Sequence, residues 1–327
     1  QSGDDYFTTL LALFQKYLWC IPSATPWQQD EKLHRAWPDV SLYDHNRLTS
    51  AIAACLAYDN SLPSENGSEP IALLVRGDVS GIQSFIYRLS RPEAETEHIA
   101  KRLRGRSFYL QLLTEVVVDW ILREIQLPES CAIFVGGGRF DLLLPLISKE
   151  SLQNLNKELS NWLFDQFFGE ISILIAAEQA TPSDFSDTRK ISSRLDEKLE
   201  LAKRQKWRER LFPSGSLKPL GQMQPLWHTC KVCQLTPMPD PGQTCPLCSL
   251  HERIGKHLPH AKYLVYCYAD LSGIDQERLI HFENAPFQTQ IALIHGKNEL
   301  KHFLVQKHKI SRGKIKKMFL KVIFLKQ

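Results

Sequence analysis

Two pairs of cysteines carry the clearest chemistry: Cys230-Lys-Val-Cys233 and, after eleven intervening residues, Cys245-Pro-Leu-Cys248. Two such knuckles can place four thiolates tetrahedrally around one zinc ion, and four protein ligands leave no open position for a catalytic water. The expected role is therefore structural, with metal binding contributing folding energy by tying two loops together. Pro237, Pro239, Pro241 and Gly242 lie between the pairs. His228, His251, His257 and His260 are nearby alternative ligands, each otherwise read as a surface histidine. A redox dithiol is a poorer fit, because that chemistry needs one pair and here there are two matched pairs. The remaining cysteines, Cys20, Cys55, Cys131 and Cys267, sit in apolar surroundings and read as buried thiols.

A second chemical signal is Arg76-Gly77-Asp78-Val79-Ser80-Gly81-Ile82, after an apolar strand and at the start of a helix. Backbone amides at such a turn suit a phosphate, and Asp78 at a strand end can ligate a divalent cation. The plainer alternative is that Asp78 or Ser80 simply caps the helix. Asp78, Ser80 and Gly81 are nonetheless carried forward as nucleotide-binding candidates, together with Gly136, Gly137 and Gly138, whose lack of side chains would let a nucleotide approach closely.

The elements that must position these groups follow from the periodicity. Ile71–Val75 is an apolar strand that ends at Arg76-Gly77-Asp78, with a short helix through Ile82–Leu89 and a long one over about His98–Ile125. Cys131–Val135 and Phe140–Leu144 flank the three glycines as a hairpin. A second amphipathic helix carries Leu152, Leu155, Leu159, Trp162 and Leu163, and Ile171–Ala176 is the last strand. The β-α-β-β-α-β order predicts an α+β, ferredoxin-like fold, which is also the core of nucleotide cyclase and polymerase palms. Palm enzymes hold two metal ions with carboxylates at the first strand and at the hairpin turn. Here the hairpin tip has none, and Asp141 would project away from the turn if Phe140 faces the core. A palm that binds a nucleotide but has no catalytic residues of its own is expected.

Six segments are expected: helices at 1–58, a polar linker at 59–70, the palm at 71–180, a charged helical linker at 181–226, a zinc ribbon at 227–260, and 261–327 as an incomplete C-terminal region with a basic tail. In the last, Tyr263–Tyr268 and Ile291–His295 read as strands. Residues 297–327 hold ten Lys or Arg against one acid, so the rest of the chain is net acidic although the whole carries +4. That tail reads either as a phosphate-contacting surface or as a solvated or non-native end. No run of about 18 apolar residues and no apolar leader occurs, so no membrane partner and a cytoplasmic location are expected.

Gly77–Ile86 (GDVSGIQSFI), Lys101–Leu113 (KRLRGRSFYLQLL), Phe134–Pro145 (FVGGGRFDLLLP) and the cysteines followed by Ile254-Gly255-Lys256 together resemble the large signature subunit of type III CRISPR effector complexes. The resemblance covers residues 35–268, and Asp39–Ala54 resembles the closing helix of that family's HD nuclease domain. It implies an N-terminal helical remnant of an HD domain, the first of two palms, and a four-cysteine zinc ribbon. The second palm of the family carries a G-G-D-D hairpin that makes cyclic oligoadenylate from ATP; no G-G-D-D occurs here. ATP with Mg or Mn is then expected only alongside a second palm. The implied partners are the backbone and small subunits of the effector, guide RNA and target RNA. The alternatives kept open are a zinc-ribbon nucleic-acid binder on an inert palm scaffold and a stand-alone nucleotidyl cyclase.

Overall fold

The computed structural model describes residues 3–23, 40–59, 68–88, 96–212, 228–267, 275–301 and 320–324. Most of the expected linker at 59–70, the end of the charged linker after residue 212 and most of the basic tail lie outside the described residues. The chain divides into two compact units: Gln1–Asp78, Val118–Leu155 and Ile175–Ala202 form the first, and Val79–Val117, Asn156–Leu174 and Lys203–Gln327 the second. No described helix is long and apolar enough to cross a membrane.

Helices α1 (Gly3–Leu18) and α2 (Leu42–Asp59) open the first unit. Ala51 and Cys55 of α2 are buried, and Arg47 donates to the carbonyl of Ile133 at 2.8 Å. On α1, Leu13 and Tyr17 remain exposed, as do Trp19 and Ile21 just beyond it. Cys20 shares that environment and is exposed, contrary to the sequence expectation; Cys55, Cys131 and Cys267 are buried as expected.

Strands β1 (Ala72–Ser80), β2 (Ala132–Gly136), β3 (Arg139–Leu144) and β4 (Ser172–Ala180) form one sheet in the order β2-β3-β1-β4. With α3 (Ile82–Tyr87), α4 (Thr96–Glu124) and α5 (Lys149–Phe167) between them, the connectivity is the β-α-β-β-α-β order read from the periodicity. The strand boundary differs. Residues 76–78 do not leave the ladder: Arg76 lies opposite Asp141, Gly77 opposite Phe140 and Asp78 opposite Arg139. Gly77 is required by packing, since a Cβ there would lie 2.0 Å from Cζ of the buried Phe140 ring. Arg76 stays in the sheet because Asp141 takes up its charge, with Nε–Oδ1 at 2.7 Å and Nη2–Oδ2 at 3.1 Å.

The expected charged helical linker at 181–226 is not one helix: α6 (Pro182–Ser186) is followed by α7 (Arg189–Arg204) and α8 (Arg208–Leu211), the last two separated at Trp207, whose φ is 61°. In the first unit α7 is more than a solvated linker. It buries Ile191, Leu195 and Leu199, and Asp196 reaches Arg76 at 2.9 Å and Arg139 at 3.1 Å.

In the second unit, α9 (Pro246–His257) is followed by β5 (Tyr263–Cys267), β6 (Leu279–His281), β7 (Gln290–Ile294) and β8 (Leu320–Phe324), in the sheet order β6-β7-β5-β8. Two of these strands were expected. β8 comes from the segment read as a basic tail, and its backbone pairs antiparallel with β5 from Leu320 opposite Cys267 to Phe324 opposite Tyr263. Tyr109, Trp162, Phe282 and Phe287 form an aromatic cluster, with Trp162 and Phe287 at 5.3 Å and the Trp162 indole donating to the Glu283 carbonyl at 2.8 Å.

Candidate metal centre and the Asp78 to Gly81 segment

Cys230 and Cys233 lie in a tight turn closed by the bridge between Thr229 and Pro237. Cys245 is the N-cap of α9, followed by Pro246 at the first helical position, where its missing N–H costs nothing. Cys248 sits one turn in. The second pair therefore opens a helix, where two loops were expected; the Cys245 Sγ accepts from the Cys248 amide at 3.4 Å and so replaces the usual capping oxygen.

The four sulfurs are buried and lie within 4.8 Å of one another. Cys233 and Cys245 are 3.9 Å apart, which fits the sulfur separation of about 3.8 Å that a tetrahedron with metal–sulfur bonds of ~2.3 Å requires. Amides support the anionic form: Val232 and Cys245 donate to the Cys230 Sγ at 3.4 and 3.2 Å. With only protons to share, hydrogen bonds from Cys245 and Cys248 drive the Cys233 thiol far below its ordinary range and those same contacts raise Cys248. A metal ion bound to all four sulfurs would relieve that competition. Among the described residues no other group of three or more His, Cys, Asp or Glu side chains is placed to hold one.

The helix that carries Cys245 and Cys248 crosses α4 at very close range. Arg102 and His98 of α4 both bind Glu252 of α9, at 2.9 and 2.5 Å, and Arg104 donates to the Gly255 carbonyl at 2.9 Å. Together with burial, which alone would raise it, these contacts leave the Glu252 carboxyl below its usual range. His251 is no surface residue and no ligand. It is 1% exposed, its ring packs edge-on against Phe85 and Tyr109 at 5.4 and 4.9 Å, and neither nitrogen has a hydrogen-bond partner among the described residues. Burial, with the nearby Arg106 charge, pushes it down to about 3.

The nucleotide candidates are divided between the units. In the first, Asp78 and Gly136 both lie opposite Arg139, and Gly137 and Gly138, at φ 62° and 82°, form the two-residue hairpin turn. Asp141 does project away from the turn, onto Arg76, and is not available to a metal ion. In the second unit, neither Asp78 nor Ser80 caps α3; the N-cap is Gly81, at φ 97°. A Cβ on Gly81 would lie 2.0 Å from the Glu170 carbonyl oxygen, so close approach as well as conformation demands glycine. The Ser80 hydroxyl accepts from the Lys206 ammonium. Lys206 was not singled out from the sequence, because it lies in a charged run with no chemical pattern. Its neighbours hold it in place: Trp207 packs on Phe164 at 5.0 Å, and Arg210 stacks on the same ring and pairs with Asp165.

Residues 71–216 match the family model described as Csm1 subunit domain B. The chain is similar, over that segment, to domain B of Cas10/Csm1 subunits. It is 37% identical over 207 residues to the CRISPR system single-strand-specific deoxyribonuclease Cas10/Csm1 (subtype III-A) of Methanocaldococcus jannaschii, an overlap of 56% of this chain and 25% of that protein. The counterpart from Thermococcus onnurineus is 30% identical over 278 residues, covering 76% of this chain and 33% of the relative. The chain thus spans a quarter to a third of these relatives. Among solved structures, a Csm1-Csm4 cassette in complex with cA4 is similar with a TM-score of 0.51 and 30% identity, over 61% of this chain and 27% of that one. A cassette in complex with cA3 has a TM-score of 0.60 over 88% of this chain and 33% of that one; at 24% identity it shows the shared fold alone. Domain B as matched contains Asp78, Ser80, Gly81 and the hairpin glycines, and ends before the four cysteines.

Proposed function

We propose that this chain is a subunit, or a piece of one, of a type III CRISPR RNA-guided antiviral interference complex, in which it contributes the first palm half of an ATP-binding cyclic oligoadenylate synthetase. The observation that carries this is the domain B match over residues 71–216. Support comes from similar Csm1-Csm4 cassettes, which have been solved in complex with AMPPNP and with cA4. The nucleotide-binding candidates are Asp78 and Gly136–Gly138 in the first unit and Ser80 and Gly81 in the second, with Mg or Mn supplied alongside a second palm. In the first unit Asp141 is paired with Arg76, so catalysis by metal-assisted phosphoryl transfer is assigned to the second palm and not to the described residues of this chain.

In this proposal the metal is zinc, a structural ion on Cys230, Cys233, Cys245 and Cys248 that fixes the start of α9 and supplies no reaction chemistry. Residues 1–58 are the helical remnant of an HD domain, 71–180 the palm, 181–226 its charged linker, 227–260 the zinc ribbon and 261–327 the C-terminal region with its basic tail. The partners are the backbone and small subunits, guide RNA and target RNA, in the cytoplasm.

The test is equilibrium binding of AMPPNP with Mg to the chain, alone and mixed with a second palm of the family. Saturable binding that appears with the second palm and weakens on Gly81→Val supports the proposal. No binding in either mixture removes the nucleotide role. Copurification of the native chain with effector subunits and RNA tests the assembly separately, and a lone protein without RNA would refute it.

A further inference from the structure

Arg106 is a buried cation between α3 and the four cysteines in the second unit. It is 2% exposed, and its Nη1 donates to the carbonyls of Phe85 at 2.9 Å and Arg88 at 2.6 Å, at the C-terminal end of α3. Its Nη2 points the other way, to the Cys248 Sγ at 3.7 Å. The guanidinium also lies over the Phe85 ring at 5.5 Å. A buried cation needs a negative charge, and carbonyl dipoles do not supply a full one. Glu170, the carboxylate in the same pocket, is paired with Arg88 at 2.9 Å and shares its charge between Arg88 and Arg106. The thiolates are the second source of negative charge, and the one that Nη2 meets directly. A divalent ion with four thiolates carries a net charge of −2, so the sulfur centre and Arg106 neutralise each other in part.

We propose that Arg106 is a positioning residue that couples the four-thiolate metal centre to α3 and, through α3, to the Gly81 turn in front of it. One guanidinium edge reads the charge on the sulfurs; the other closes the far end of a six-residue helix too short to be stable alone. The Gly81 turn and the end of α3 are linked by backbone bonds from Phe85 to Gly81 at 3.0 Å and from Arg88 to Ser84 at 2.9 Å. When the metal leaves, the four sulfurs are no longer held together, Nη2 loses its fixed partner at Cys248 while the guanidinium remains buried, and the α3 end loosens. This inference rests on the metal proposal above and is independent of the nucleotide proposal.

The experiment uses the full chain and its Arg106→Gln and Arg106→Lys variants, with zinc and cobalt(II) as the probes. Zinc transfer to a chelating dye is expected to be about tenfold faster in Arg106→Gln, the size of one charge-assisted hydrogen bond. The sulfur-to-cobalt charge-transfer band should shift in the same variant, and Arg106→Lys should partly restore both. In the wild type, stripping the zinc should raise hydrogen exchange at residues 85–88 well above any rise in β5 and β7. Identical release rates and cobalt spectra in Arg106→Gln overturn the proposal. So does stripping that leaves α3 exchange unchanged or raises β5 and β7 equally, and this arm decides the matter if the variant does not fold. A chain that takes up neither zinc nor cobalt refutes the metal proposal itself, and the coupling with it.

Discussion

Gly105 of α4 and Gly255 of α9 each occupy the spot where the other helix's backbone passes: a Cβ on Gly105 would lie 1.8 Å from the His251 carbonyl oxygen, and one on Gly255 would lie 1.8 Å from that of Lys101. The obstacles are backbone atoms, which cannot swing aside as a side chain can. Two motifs far apart in the sequence, Lys101–Leu113 and Ile254-Gly255-Lys256, are thereby two sides of one helix crossing.

Gly105→Ala and Gly255→Ala should therefore each destabilise the second unit by about 3 kcal/mol or more, because overpacking forces helices apart. The sign is diagnostic. At an unobstructed helix position the same change would stabilise by up to about 1 kcal/mol through helix propensity. Urea unfolding of both variants against wild type checks it, and a raised midpoint would refute the crossing.

A different relationship carries the first unit. Arg76 is buried and its guanidinium is shared among Asp141, Asp196 and Ser192. Hydrogen bonding to Asp141 raises it above its ordinary range against the opposing effect of burial, with the charges of Asp141 and Asp196 adding to the rise. Asp141→Asn leaves that cation without its closest counter-charge and should cost about 3 kcal/mol. Asp196→Asn should cost under about 1 kcal/mol, since its side chain is 54% exposed and water screens it. Chemical unfolding of the two variants gives the comparison, and equal losses would contradict the assigned roles.

How far the sequence foretold this follows from which signals are local. Two C-x-x-C pairs, a glycine hairpin and the switch between helical and strand periods are written in neighbouring residues, and the structure has each of them. What was not legible depends on distant partners. Arg76-Gly77-Asp78 reads as a turn until Phe140 is beneath Gly77 and Asp141 beside Arg76. Leu320–Phe324 reads as the end of a basic tail until β5 offers it an edge. His251 looks like any histidine after a cysteine pair, and only the rings of Phe85 and Tyr109 make it a core residue. Lys206 carries no spacing signal, because Ser80, which it meets, lies more than a hundred residues away in sequence, and nothing in the Lys101–Leu113 motif shows that Arg106 reaches the likewise distant Cys248.

His251 makes a pH prediction. Its folded value of about 3 lies below the unfolded value near 6.5, so it is neutral in the folded chain. The stability associated with keeping it neutral is fully present above about 6.5 and is lost as pH falls from there toward 3, because the unfolded state binds the proton first. The slope should be on the order of 1 kcal/mol per pH unit within that window. His251→Leu removes the titrating group and fills the site with apolar atoms. Melting curves from pH 7 to 4 should fall more gently in the variant than in wild type; parallel curves would show that His251 does not titrate with unfolding.

Replacing Cys230 and Cys245 by Ser together takes one ligand from each pair, and two remaining thiolates do not enclose an ion. Metal content should drop from about one equivalent to near zero, because structural affinity depends on the complete ligand set. The loss should fall on the second unit, where Cys245 also caps α9. The first unit, with its sheet core of Leu73, Val75, Phe140, Leu142 and Leu144, has no cysteine ligand and should retain its slow-exchanging amides. Hydrogen exchange resolved by segment, with metal analysis of the same sample, separates the two effects. If the variant keeps its metal and its melting temperature, the four sulfurs are not the ligands; if the first unit's sheet exchanges as fast as α9, the two units do not unfold separately and the metal stabilises both.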